Sequence, residues 1–399
     1  MNHVGFYLRV VFILAAIVPT LMPCQAQAVV VITDDDKNLV APENDDFGFA
    51  NVGVQTNSTT GIYLGYRWVL TATHTFPHLT HIRFGGKLYT HETGTDVQLT
   101  NPPGLGLSEY TDLTLYRITQ DPWLPTVKVA DGYPNLEDEV IMVGNGQNRA
   151  DELTAWDVGG TYPDGDDWTW TETTPPGDEQ GYYAGSGRTL RWGTNRIAGG
   201  QYNINLGNET EPIHVIAFKT LFSHFDDTDV TEDEAQATIG DSGGGIFRKD
   251  GNQWELAGIM HAVNDYPDQP SQAIAIFGLV TYCSDLYEYS AQILDTIAPL
   301  PGDANLDDVV DAIDASRLAA HWGMTEGALW GHGDFNEDGA VNEQDAAILA
   351  DNWGTTSEGS ATGAGHTVPE PSVLGLMAAG LIGLLARRAR RGRVVDRCS

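Results

Sequence analysis

Between residues 48 and 153 the chain alternates short runs of aliphatic, aromatic and β-branched residues with breaks of Gly, Pro and Asn. The runs at 62–64, 68–70, 81–84, 113–118 and 140–143 predict strands, and their close succession predicts an all-β barrel. The first two flank Gly65-Tyr66-Arg67 and pair as a hairpin. Residues 151–180 break the pattern: they are acidic, rich in Gly and Pro, and carry Trp156, Trp168 and Trp170. Such a stretch predicts a long surface insertion folded over its own aromatic cluster. Strand signals resume at 213–218, so a second barrel is expected over roughly 160–277. Ala298-Pro299-Leu300-Pro301-Gly302 then reads as a linker, and two apolar segments, 312–322 and 344–353, read as helices.

Two further apolar runs lie near the ends of the chain. The run 10–22 follows Arg9 and precedes Ala26-Gln27-Ala28, the layout of a secretory signal over 1–28, with the mature chain beginning near Val29. Export bears on the cysteines. Of Cys24, Cys283 and Cys398, the first and last fall in segments expected to be removed, so no internal disulfide is expected. Stability then has to come from packing or bound ions. The formal net charge of −34 should repel nucleic acid and anionic membranes and attract cations; adaptation to a saline habitat accounts for it equally well.

The chemistry concentrates in Gly240-Asp241-Ser242-Gly243-Gly244. A serine hydroxyl attacks a carbonyl only beside a base and opposite donors that stabilise the oxyanion. The glycines let the amides of Gly240 and Ser242 aim at one point, which makes them the candidate oxyanion hole. The motif calls for a histidine and a carboxylate. An apolar strand ends in Thr71-Ala72-Thr73-His74, and Asp112 opens the run Leu113-Thr114-Leu115-Tyr116.

The order His74, Asp112, Ser242 and these three motifs resemble the chymotrypsin/trypsin-like serine proteases over roughly residues 40–297. The resemblance implies a double β-barrel with Ser242 as nucleophile, His74 as general base and Asp112 as the orienting acid. It also implies that the strand 254–263 pairs with an extended substrate backbone through His261, Ala262 and Val263, and that 284–297 is a closing helix. Three departures matter. Thr75 stands where the family carries a cysteine, no activation sequence precedes the domain, and Gln236 occupies the substrate-pocket position where trypsin needs an aspartate. No preference for Lys or Arg is therefore expected. The absent activation sequence leaves open what satisfies Asp241, which in the family pairs with a freed N-terminus.

Two loops follow the linker. Asp303, Asn305, Asp307, Asp311 and Asp314 offer side-chain oxygens at loop positions 1, 3, 5, 9 and 12, with the Val309 carbonyl at 7. Asp334, Asn336, Asp338, Asn342 and Asp345, with the Ala340 carbonyl, repeat the spacing, which suits calcium. The pair resembles the dockerin type I module over 302–354, a small α-helical domain. Loop one carries Asp308 where glycine is usual. The resemblance implies a cohesin-like partner, although Ala312-Ile313 and Glu343-Gln344 lack the Ser/Thr pair common in cohesin-recognising dockerins.

After a Gly/Ser/Thr-rich spacer, 355–367, comes Val368-Pro369-Glu370-Pro371, the apolar run 372–386 and an arginine cluster. These resemble the PEP-CTERM sorting signal over 368–393. That resemblance implies an exosortase-type partner, a C-terminal transmembrane helix with transient membrane association, and a destination at the cell surface or matrix. The expectation is an exported serine endopeptidase acting on proteins or peptides. Its rivals are a catalytically silent surface or matrix protein on the same barrel, and an esterase using the same triad.

Overall fold

The structure is a computed structural model describing residues 29–33, 38–42, 46–76, 79–208 and 210–357. The expected leader, the spacer beyond 357, the sorting signal and the apolar run 372–386 lie outside the described residues. Among the described residues no helix is long and apolar enough to cross a membrane.

The body is all-β with few helices. Its first half is a seven-stranded antiparallel sheet of β1 (Val52–Gln55), β2 (Thr60–Gly65), β3 (Trp68–Ala72), β4 (His81–Phe84), β5 (Lys87–Thr90), β6 (Val97–Thr100) and β7 (Tyr110–Arg117). The order across it is β5-β4-β1-β2-β3-β7-β6. Alternation along these strands feeds two clusters, as side chains of successive residues leave opposite faces. Ile62, Leu64, Leu70, Leu113 and Leu115 enter one, and Tyr63, Val69, Ile82 and Tyr116 the other. The expected hairpin is present: Tyr66 and Arg67 take φ of 52° and 68° in its turn, matching the right-handed twist of β2 and β3.

The second half is a closed barrel of β8 (Glu139–Gly144), β9 (Arg191–Asn205), β10 (His214–Leu221), β11 (Gly245–Asp250), β12 (Gln253–Val263) and β13 (Val280–Ser284), in the order β9-β10-β13-β12-β11-β8. In the first half the ends of β5 and β7 meet: His91 and Ile118 form an antiparallel bridge, the Glu92 amide donates to the Arg117 carbonyl at 2.8 Å and the Thr119 amide to the Thr90 carbonyl at 2.9 Å. The expected second-barrel boundaries are corrected. The run 140–143 belongs to the second unit, where Val143 and Met142 pair with both Trp192-Gly193 and Gly245-Ile246.

One cluster joins the halves. Leu70, Leu113 and Leu115 from the sheet meet Ile141, Val143, Phe247 and Ile259 from the barrel, closed off by Ile293 and Ile297 of α1 (Ser290–Ile297). The active-site candidates sit at the end of this seam. Residues 151–180 form a hairpin rather than an open loop. Thr154–Gly160 pairs with Trp168–Thr173, and Trp156 is fully buried. The small module pairs α2 (Ala312–His321) with α3 (Glu343–Asp351) over a core of Val310, Leu318, Phe335, Val341 and Leu349.

Candidate active site

Antiparallel pairing of β3 with β7 sets Ala72 opposite Leu113, which places Asp112 beside the turn that carries His74. The carboxylate is buried and accepts twice from His74: Oδ1 from its backbone N–H at 2.8 Å, Oδ2 from ring Nδ1 at 2.6 Å. Thr75, in the place of the missing cysteine, is buried. Its hydroxyl lies 2.7 Å from the Ala72 carbonyl and 3.0 Å from the Thr71 hydroxyl. A hydroxyl network therefore fixes the histidine turn in place of a covalent link.

The same threonines reach the nucleophile loop. Thr71 Oγ1 donates to the Thr60 carbonyl at 2.7 Å, the Thr60 amide donates to the Ser242 carbonyl at 3.2 Å, and Thr60 Oγ1 lies 3.1 Å from the Asp241 carbonyl. Gly243, at φ +83°, fits because a Cβ there would lie 2.1 Å from the Thr60 carbonyl. Gly240 takes φ +104° with the Arg188 guanidinium packed against it. Among the described residues the amides of Gly240 and Ser242 make no backbone hydrogen bond. Among the described residues the Ser242 hydroxyl makes no hydrogen bond to His74. Bonds of that kind often tighten only with substrate in place.

Asp241 is fully buried and held from four directions. Its carboxylate accepts from the Gly146 and Thr238 amides at 2.7 Å each, from the Thr238 hydroxyl at 3.2 Å, and from the backbone N–H of Val29. Burial pushes its pKa up to about 6 against those donors. Val29 is itself buried, and Val30 and Val31 pair with Gln236 and Ala235. This answers what meets Asp241, through a contact no local motif announces.

His261 has a role the sequence did not disclose. Its Nδ1 lies 2.8 Å from the same Asp112 Oδ2 that takes His74, and its ring is completely buried. Burial alone pushes the Asp112 pKa up; the hydrogen bonds from His261 and His74 outweigh it and hold the acid below the ordinary carboxylate range. Both Nδ1 atoms act as donors, a tautomer assigned from the bonding pattern. Losing one donor to a charged acceptor costs about 1.5–3 kcal/mol. His261→Ala is thus expected to lower kcat roughly tenfold or more. His261→Asn, which retains a donor, should recover part of it at an unchanged KM, and steady-state kinetics on the three proteins checks this.

A cavity of about 360 Å³ opens beside Ser242, lined among others by Thr238, Gly240, His261, Ala262, Val263 and Asn264. Of the residues expected to meet substrate, His261, Ala262 and Val263 are at this wall. Gln236 is buried next to the lining residues Ala237 and Thr238, with its backbone paired to Val30. One wall, the segment from Asn264 to Ile274, is backed by the tryptophan hairpin. Trp168 stacks on Tyr266 at 5.4 Å and Trp170 Nε1 donates to the Pro267 carbonyl at 2.9 Å.

In the small module both loops fold alike. Asp303 accepts from the amides of Asp307 and Asp308, and Asp334 from those of Asp338 and Gly339. Asp314 accepts from the amides of Ala304, Asn305 and Asp311, and Asp345 from those of Phe335, Asn336 and Asn342. Burial first, then Asp314 and Asp307, push the Asp303 pKa up to about 6. An all-oxygen donor set whose carboxylates crowd one another fits a hard divalent cation such as calcium.

An all-β body with a serine on a glycine loop, an acid–imidazole pair and an appended two-loop module defines the general class. Residues 301–360 match the dockerin type I domain and 367–391 the PEP-CTERM protein-sorting motif. No curated protein matches. Solved structures it resembles include neuropsin, a serine protease expressed in the limbic system of mouse brain, at 16% identity and TM-score 0.39, covering 65% of this chain and 98% of that one. The protease Rv3671c from M. tuberculosis, in its active form, is 14% identical with TM-score 0.34, covering 62% and 80%. Kallikrein-related peptidase 10 is 15% identical with TM-score 0.35, covering 63% and 98%.

Proposed function

We propose that this chain is an exported serine endopeptidase. The observation that carries the reading is the His74–Asp112 pair, held by one threonine network to a loop whose Ser242 flanks an open cavity and whose Gly240 and Ser242 amides make no backbone hydrogen bond. In the proposed reaction His74 Nε2 takes the proton of the Ser242 hydroxyl as Oγ attacks the peptide carbonyl. The amides of Gly240 and Ser242 receive the developing oxyanion, and His74 returns the proton to the leaving amine. Water then attacks the acyl-enzyme by the same route. Asp112 keeps the Nδ1 proton on His74 throughout.

The free Ser242 hydroxyl is the one observation on the side of a silent scaffold. A fluorophosphonate probe separates the two readings. Covalent labelling mapped to Ser242 by mass spectrometry, absent in Ser242→Ala, is expected; an unlabelled wild-type protein would leave the scaffold. Products cut from a denatured protein mixture distinguish a peptidase from an esterase. The sorting motif supports export to the cell surface or matrix, with an exosortase-type enzyme acting on the C-terminal segment. Calcium is proposed for both loops, held by Asp303, Asn305, Asp307, Val309, Asp311 and Asp314, and by Asp334, Asn336, Asp338, Ala340, Asn342 and Asp345. A cohesin-like partner is the module's secondary assignment.

A further inference from the structure

Loop one carries Asp308 where its twin carries Gly339, and this difference points toward the β body. Asp308 takes φ +68°, the left-handed conformation that Gly339 supplies in loop two at φ +81°. A side chain is uncommon there unless it earns its place. This one makes an ion pair: Asp308 Oδ2 lies 2.9 Å from Arg117 Nη1. The neighbouring Leu306 carbonyl accepts from Arg117 Nη2 at 3.0 Å and also from Arg67 Nη2. Glu92 Oε2 sits 3.4 Å from Arg67 Nη1 and 3.8 Å from Arg117 Nε, holding the two guanidinium groups side by side.

Aromatic contacts extend the seam. Trp123 stacks on His332 at 5.5 Å with an interplanar angle of 19°, and Tyr66 meets Trp330 edge-on at 5.2 Å. Gly331 fits because a Cβ there would strike the Trp123 ring at 2.4 Å. Trp330 Nε1 in turn donates to the Asp303 carbonyl at 2.6 Å, at the first position of loop one.

We infer that the module docks on its own catalytic body through loop one, and that calcium in that loop sets the docking. The inference rests on the calcium reading above and not on the catalytic one. Leu306 and Asp308 occupy loop positions 4 and 6, while the oxygens suited to calcium come from positions 1, 3, 5, 7, 9 and 12. The two sets do not compete, so one loop offers oxygens inward to a cation and a carbonyl and carboxylate outward to the arginines. Without the cation, four aspartates at positions 1, 5, 9 and 12 repel one another. The backbone that presents Leu306 and Asp308 then loses its frame.

The receiving residues matter as much. Arg67 lies in the β2–β3 turn and Arg117 ends β7, and Trp68 pairs with Arg117 across the two strands. His74 and Asp112 lie at the opposite ends of β3 and β7. Docking therefore clamps the far end of the strand pair that carries the acid and the base.

Hydrogen exchange on the chain from residue 29 to 367, with calcium or with a chelator, tests this beside calorimetric calcium titration. Calcium is expected to slow exchange at amides 66–70 and 115–123 about tenfold or more. Arg117→Glu should abolish that protection and weaken loop-one calcium by a similar factor, since coupling is reciprocal. Pairing Arg117→Glu with Asp308→Arg should restore both. Calcium heats with unchanged exchange at those amides, or equal protection in the chelator, would overturn the docking inference alone. Absence of calcium heats would overturn the calcium reading and the inference together.

Discussion

Asp112→Asn is expected to lower kcat/KM for peptide hydrolysis about ten-thousand-fold while leaving the protein folded. The argument is one of donors. Asp112 Oδ1 receives the His74 amide and Oδ2 receives both imidazole Nδ1 atoms. A carboxamide has one oxygen and one NH2 group. Whichever way it is turned, the NH2 faces a donor: the His74 backbone N–H on one side, or the two imidazoles on the other. Turned against the rings, it drives His74 to the tautomer with the proton on Nε2, which has no lone pair to offer Ser242. Turned against the backbone, it disrupts the turn that positions the ring. Steady-state kinetics near neutral pH checks the loss, and a fall of less than tenfold would remove His74 from the role of base.

The same residue sets a pH signature. Because the folded protein holds Asp112 below its ordinary range, the ionised form contributes stability that is fully present above about pH 4. That contribution is lost only as pH falls through the lowered value. The variant lacks it, so the difference in unfolding midpoint between the two proteins should narrow in acid.

A single alanine added ahead of Val29 is expected to reduce activity roughly a hundredfold or more. A chain that starts at Val29 carries an ammonium where the structure sets the Val29 nitrogen against Asp241. The carboxylate there is fully buried, and burial raises its pKa to about 6 when only amides and a hydroxyl face it. A positive charge at that nitrogen would keep it ionised. Breaking a buried charge pair costs about 3–5 kcal/mol, and here the cost falls on the residue adjoining the nucleophile. Val29 is buried and Val30 and Val31 are fixed in register, which holds the Val29 nitrogen at Asp241. Comparing chains freed at Val29 with chains freed one residue earlier checks it. Equal turnover would show that Asp241 needs only the amide.

What the chain disclosed in advance was mostly local. Strand runs such as 68–70 and 113–118 alternate plainly because each face of the sheet enters a core, and the calcium-type loops are legible because their oxygens sit within twelve positions of one another. His74, Asp112 and Ser242 each head a recognisable turn or strand. The rest depends on register between distant segments. That 140–143 joins the barrel, that His261 faces Asp112, and that Val29 reaches Asp241 are set by which strands lie side by side.

The tryptophan hairpin carries a consequence for adaptation. It braces the wall from Asn264 to Ile274 through Tyr266 and Pro267, whereas the threonine network that fixes His74 and Ser242 belongs to the sheet. On the proposed reading, the reacting groups and the cavity wall thus rest on separate scaffolding. On the same reading the hairpin and the wall it supports form a replaceable part: exchanging them would alter what the cavity admits while His74, Asp112 and Ser242 keep their places.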